Sequence, residues 1–217
     1  MNLPIIIVNF KTYAGASSAK ALDLARLHAK VAKKTGVNFA IAPQMLDLRM
    51  IVSEVDIPVF AQHFDPVGQG AYTGHISPHV LKEMGVAGAI LNHAEKSLPL
   101  ELIEKSVGMA RDLGLYTVVC ANDPYLGKAI SELDPDLVAV EPPELIGGDI
   151  PVTDKPQVID DAVAMMGKGK VIVGAGIKTG EDIRIALKHG AVGVLLASGV
   201  VKSLDPEKTL FELAGGL

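Results

Sequence analysis

The chain has 217 residues, of which 49% are hydrophobic and 21% charged, so it can bury a sizeable core and is not a disordered protein. Its net charge is -5 and it has no Lys/Arg-rich run, so it lacks the basic character typical of a nucleic-acid-binding protein. No apolar run approaches the roughly 20 residues of a membrane helix, and we expect neither a signal peptide nor a membrane partner. A single cysteine, Cys120, rules out an internal disulfide. We therefore expect a cytoplasmic protein.

Eight short apolar runs, rich in β-branched residues, follow one another along the chain. They are apolar at both odd and even positions, which is typical of parallel strands covered on both faces. The runs span residues 4–10, 38–42, 58–62, 88–91, 116–120, 137–140, 171–176 and 193–197.

Helical patterns fill the intervals between these runs. The first ends at Gly36 and the fourth begins near Pro99 and ends at Gly114, where glycine can take the left-handed conformation that terminates a helix. The seventh has an N-cap and near capping box over 179–182 and a predicted C-cap at Gly190. Two helical patterns are short, at about 125–133 and 155–166.

Eight strands that each lead into a helix or short turn predict an α/β fold, a closed (β/α)8 TIM barrel, in a single catalytic domain over residues 1–217. The rival arrangement is an open, doubly wound sheet. Eight near-identical units with no linker or domain break favour the closed barrel.

In a barrel of this kind the functional groups follow the carboxyl ends of the strands. The residues there include Asn9 and Lys11 after the first run, His93 after the fourth and Glu141 after the sixth. An ammonium, an imidazole and a carboxylate are thus predicted to share one mouth. Each has a plain structural alternative: a solvated surface lysine, a satisfied structural histidine and a turn carboxylate in an ordinary Pro/Gly loop.

The last two runs end in small-residue turns directly before helices. The segments are GAGIKTGED after the seventh run and LLASGV at the eighth. Gly and Ala let backbone N–H groups approach a phosphate, and the N-terminus of a helix favours negative charge. Because phosphate sites recur at these two turns in (β/α)8 barrels, we expect one here.

In order, the segments NFK, AQ…GAYTGHIS, NHAEK, EP…IGG and GAGI…ASG resemble the triosephosphate isomerase family, strand by strand over the whole chain. The short helices resemble the compact archaeal branch. The resemblance implies that Lys11 is the cation for the substrate phosphate and the enediolate oxygen, and that Asn9 holds Lys11 and contacts the substrate. It implies that His93 is the electrophile, that Glu141 is the base between C1 and C2, and that Glu95 is the carboxylate beside Lys11.

The resemblance also implies a lid over about 142–153 and a set of backbone groups that bind the substrate and its phosphate. That set is Ile146, Gly147, Gly174, Gly176, Ala197 and Ser198. This chain departs from the family at Glu144, where an aromatic residue is common, and at Val173, where a tyrosine often latches the closed lid. Gly176 replaces a serine, and 197–198 replaces a Gly-Gly pair. These substitutions leave the backbone amides in place. We therefore expect them to affect the timing of lid closure and not phosphate binding.

The function that the resemblance implies is interconversion of D-glyceraldehyde 3-phosphate and dihydroxyacetone phosphate, a step of glycolysis and gluconeogenesis, through an enediolate. No metal and no organic cofactor is expected, because no Cys/His spacing suggests metal ligands. Two other functions are alternatives to this one. One is a lyase or synthase barrel acting on an indole or thiamine precursor, and the other is a non-catalytic sugar-phosphate-binding or scaffold protein.

The sequence also bears on assembly. In the family the loop that contains GAYTGHIS packs into a partner subunit, which would bring Tyr72 and Thr73 near the partner's catalytic lysine. The fourth helix has more apolar positions than one buried stripe needs. They are Leu98, Leu100, Leu102, Ile103, Val107 and Met109. We expect a homotetramer of two dimers, with this helix and 125–133 at the second contact, rather than a plain homodimer.

Overall fold

The computed structural model of the chain describes residues 1–142 and 151–217. Within these ranges the strands are β1 Ile5–Asn9, β2 Phe39–Ala42, β3 Phe60–Ala61, β4 Gly88–Leu91, β5 Tyr116–Ala121, β6 Leu137–Val140, β7 Val171–Gly174 and β8 Gly193–Leu196. The helices are α1 Ala19–Thr35, α2 Leu48–Val52, α3 Pro78–Glu83, α4 Leu100–Leu113, α5 Pro124–Ser131, α6 Pro156–Met166, α7 Gly180–Lys188, α8 Ser198–Val201 and α9 Pro206–Ala214.

All the strand pairings are parallel and run in the order β2-β1-β8-β7-β6-β5-β4-β3. A single bridge between Ile41 and Val59 joins β2 to the run that leads into β3. The sheet is therefore a nearly closed barrel, and the predicted (β/α)8 fold is confirmed.

The barrel has the two apolar layers that its strand pattern requires. Alternate strand residues fill the interior, among them Ile5, Ile7, Phe60 and Ile172. The residues between them point outward and form a larger cluster with the buried faces of the helices. Both faces of each strand are thus covered, which explains why the runs are apolar at both parities.

Glycines end the two longest predicted helices where expected. Gly36 and Gly114 have φ of 73° and 63°, in the left-handed region that stops a helix. The capping box of α7 is also present, but His189 is the C-cap and Gly190, with φ of 91°, follows it. The third predicted strand was too long, because β3 pairs with β4 over only two residues. In the described residues no helix is long and apolar enough to cross a membrane.

Candidate active site

The end of β1 holds its lysine through a short network of hydrogen bonds. The Lys11 backbone N–H donates to Asn9 Oδ1 (2.9 Å), and Lys11 itself has φ of 47°. The Gln62 amide nitrogen, after β3, donates to Asn9 Oδ1 (3.2 Å) and to the Lys11 carbonyl (3.0 Å). Lys11 Nζ lies 2.7 Å from Glu95 Oε1. Lys11 is therefore held both at its backbone and at its ammonium group.

His93 follows β4 and caps a three-residue 3-10 turn. The ring is buried, and its Nδ1 accepts a hydrogen bond from the Glu95 backbone N–H (3.1 Å). An accepting Nδ1 carries no proton, so the neutral ring bears its proton on Nε2. Burial first, and then the charge of Lys11, lower the pKa of His93. These two causes keep the imidazole neutral.

Asn92 braces the same turn from the strand side. Its backbone φ is 55°, its side-chain amide donates to the Cys120 carbonyl (2.9 Å) and its Oδ1 accepts from the Leu98 N–H (2.8 Å). Asparagine tolerates this left-handed conformation better than most residues do. Asn92 thus turns the chain so that His93 faces the barrel mouth.

Glu141 follows β6 and lies in the barrel mouth opposite His93. Its side chain is 8% exposed, and Oε2 lies 3.8 Å from His93 Nε2. Burial raises the pKa of Glu141 to about 7, partly offset by a hydrogen bond from the Cys120 thiol and by the charge of Lys11. Oε2 finds no hydrogen-bond partner among the described residues. A buried carboxyl with an unpaired oxygen that faces an imidazole is suited to moving a proton.

The cleft between these groups and the last two turns has a volume of about 490 Å³, counting its open mouth. The described lining is Asn9, Lys11, Tyr13, His93, Glu141, Ala175, Gly176, Ile177, Lys178, Leu195, Leu196, Ala197 and Ser198. The cleft thus has an acid–base end and an end of backbone amides.

The amide end comes from two turns that precede helices. Ala175 and Gly176 have φ of 70° and 75°, and α7 begins four residues later. Ala197 is the N-cap of α8, and Ser198 is the first residue of that helix. The predicted phosphate residues Gly176, Ala197 and Ser198 therefore line one cleft with Lys11, whereas Gly174 lies one residue before the lining begins.

The predicted lid falls largely on residues 143–150, so Glu144, Ile146 and Gly147 lie outside the described residues. The described end of the predicted lid, at Val152 and Thr153, is tied to the β7 turn and to α7. The Val152 N–H donates to the Ala175 carbonyl (3.1 Å), and Thr153 Oγ1 donates to Asp182 Oδ1 (2.9 Å). Val173, where the resemblance places a latch tyrosine in relatives, is a buried aliphatic residue.

Reasoning from the sequence missed two positioning residues, Gln62 and Asn92. Each directly follows a strand, and that placement was the signal in the sequence that could have identified them. In the described residues no group of three or more His, Cys, Asp or Glu side chains is arranged to hold a metal ion.

The mouth of this (β/α)8 barrel combines an ammonium, a neutral imidazole and a carboxyl with a raised pKa. These groups lie beside a cleft lined by backbone amides. Together they are typical of barrel enzymes that use acid–base chemistry. The family model described as "Triosephosphate isomerase" matches residues 4–213. The chain belongs to the triosephosphate isomerase family, and it is an isomerase.

Curated relatives support this over nearly the whole chain. The triosephosphate isomerase of Methanosarcina acetivorans is 44% identical over 98% of this chain and 98% of its own. That of Methanocaldococcus jannaschii is 45% identical over 96% and 98%. That of Pyrobaculum islandicum is 47% identical over 99% and 96%. The resemblance seen in the sequence motifs is therefore confirmed, including its similarity to archaeal members.

Proposed function

We propose that this enzyme interconverts D-glyceraldehyde 3-phosphate and dihydroxyacetone phosphate. The observation that carries the proposal is the facing pair in the cleft: Glu141, with a pKa raised to about 7, lies 3.8 Å from the imidazole of His93. Membership of the family supports the same substrates.

In this mechanism Glu141 takes the proton from one carbon of the substrate and returns it to the neighbouring carbon. A carbon acid beside a carbonyl is weak, so the base works only if the oxygen that becomes negative is stabilised. A positioned base contributes roughly 10²–10⁴-fold. Its raised pKa makes Glu141 a stronger base than an ordinary carboxylate once it is ionised.

His93 and Lys11 supply the stabilisation of the enediolate. His93 Nε2 carries the proton and faces the cleft, so it can donate to either substrate oxygen. Lys11 Nζ, held 2.7 Å from Glu95, adds positive charge at the same end. Donors that are already oriented cost no reorganisation in the transition state. No step of this mechanism needs a metal ion or an organic cofactor.

We propose that the substrate phosphate binds at the amide end of the cleft, on Gly176, Ala197 and Ser198. Support comes from the left-handed backbone at Gly176 and from the helices that follow both turns. The proposed roles of Ile146, Gly147 and the lid rest on the resemblance. Phosphate binding would close that lid, exclude water and keep the enediolate from losing phosphate.

The assembly we propose is a homotetramer of two dimers in the cytoplasm. Tyr72 is 46% exposed in the loop predicted to enter a partner. A second cleft, lined in part by Lys11, His93 and Glu95, opens beside the site and gives such a loop a place to pack. For the second contact, α4 and α5 expose Leu100 (51%) and Tyr125 (75%), whereas Ile103 and Val107 are buried within the subunit.

The test is isomerase activity of the purified protein in an assay coupled to a dehydrogenase specific for one product. Glu141→Gln is the matched variant, since it keeps size and polarity but removes the base. We expect turnover in the parent and a loss of at least about 10²-fold in the variant. A parent without activity would favour the non-catalytic alternative, and an active Glu141→Gln protein would exclude Glu141 as the base.

A further inference from the structure

We propose that Gly174 is a positioning residue for the isomerase reaction, because the space left by its missing side chain holds the Glu141 carboxyl. The inference rests on the proposed role of Glu141 as the base. It gives Gly174 a function different from the phosphate contact that the resemblance implies.

The strand register brings the two residues side by side. In the β6–β7 ladder Val140 is paired with Val173, so the next row of the barrel contains Glu141 and Gly174. A Cβ atom built on Gly174 would lie 2.3 Å from Glu141 Oε1, 2.6 Å from its Cγ and 2.7 Å from its Cδ. These separations are far below van der Waals contact, so Glu141 and a side chain at 174 cannot both occupy this space.

The surroundings of Glu141 restrict the positions that its side chain can take. Its backbone N–H donates to the Ala121 carbonyl at 2.9 Å, which fixes the start of the side chain. The buried Cys120 thiol lies beside the carboxyl inside the barrel and lowers its pKa. His93 Nε2 stands 3.8 Å from Oε2 on the cleft side. A methyl group on residue 174 would therefore push the carboxyl toward the open cleft and the substrate position.

The glycine is required for space and not for backbone conformation. Gly176, two residues later, has φ of 75°, in the left-handed region that favours glycine over residues with a side chain. Gly174 lies outside the left-handed region, at the end of a regular strand, so its backbone accepts alanine. A Gly174→Ala substitution thus tests the contact with Glu141 with little other perturbation.

The experiment compares Gly174→Ala with the parent for kcat, for KM and for inhibition by inorganic phosphate. A displacement of the base by about 1 Å is expected to lower kcat roughly 10²-fold. The inhibition constant of phosphate should stay within about threefold, because the amide end is unchanged. The acid limb of the kcat/KM profile should also move to lower pH, since a carboxyl pushed toward solvent loses part of the burial that raises its pKa.

Two further variants keep the outcome clear if Gly174→Ala is less stable. In a Glu141→Ala background the clashing atoms are gone, so Gly174→Ala should cause little loss of Tm there. Gly108→Ala, on a helix where a Cβ meets nothing within 4 Å, is the matched control and should keep full activity.

A Gly174→Ala protein with kcat within about threefold of the parent would overturn the inference. An equal fall in Tm in both backgrounds, with phosphate inhibition lost as well, would assign Gly174 to barrel packing or to phosphate binding and would also overturn it. If Glu141→Gln is active, it is the proposed base that fails. If Glu141→Gln is inactive and Gly174→Ala is normal, only the present inference fails.

Discussion

His28 should make the stability of this protein fall steeply in mild acid. It lies in α1 with no exposed surface, between the rings of Phe10 and Phe39 at 5.5 and 6.0 Å. Its Nδ1 lies 2.7 Å from the Leu24 carbonyl and must donate, because a carbonyl oxygen can only accept. Nε2 is then the basic nitrogen, and it meets no hydrogen-bond partner among the described residues.

Burial lowers the pKa of His28 from its ordinary value of 6.5 to about 4. Between these values the unfolded chain binds a proton that the folded chain does not, so stability is complete above pH 6.5 and is lost as the pH falls toward 4. At about 1.4 kcal/mol per pH unit, the loss is about 2 kcal/mol at pH 5 and about 3 kcal/mol at pH 4.

The assay is denaturant unfolding of the parent and His28→Leu from pH 8 to pH 4, at one protein concentration. Carboxylates titrate in both proteins, so their contribution cancels in the difference of unfolding free energy. That difference should rise in favour of His28→Leu by about 3 kcal/mol as the pH falls. His79→Leu, at a partly exposed site on α3, is the matched control. A difference that stays flat with pH would refute the reasoning.

Two further predictions follow from the site and the surface. Cys120→Ala removes the thiol that lowers the pKa of Glu141, so the acid limb of kcat/KM should move to higher pH; a limb at the parent's position would contradict the hydrogen bond. Charged residues in place of Leu100 and Tyr125 should halve the mass measured by light scattering, from four chains to two, and leave activity intact because neither residue is near the cleft. A parent mass of two chains that does not change with concentration would refute the tetramer.

The fold was predictable because its signals are local. A strand buried on both faces needs apolar residues at every position, and eight such runs stand out in the sequence. Helix ends were predictable where glycine takes a left-handed conformation, as at Gly36 and Gly114. The length of β3 was not, because its pairing with β4 depends on partners distant in the chain.

The site was predictable to a different extent. Position after a strand was enough to place Lys11, His93 and Glu141 in one cleft, since parallel strands deliver their carboxyl ends to one side of a barrel. The contacts between neighbouring strands were not predictable. The hydrogen bonds of Gln62, the bracing by Asn92 and the space at Gly174 all depend on strand register, which cannot be read from a single sequence.

Burial has opposite consequences for the pKa values of the two facing groups of the cleft, and that opposition suits them to the acid–base roles proposed above. It raises the pKa of the Glu141 carboxyl to about 7 and lowers the pKa of the His93 imidazole, because in each case the charged form is the one disfavoured. The Lys11 charge lowers both pKa values, which favours an ionised base and a neutral imidazole near pH 7. On the surface the carboxylate would be a weak base, and an imidazole with the ordinary pKa of 6.5 would be about one quarter charged near pH 7. The proposed chemistry therefore depends on the same barrel interior that stabilises the fold.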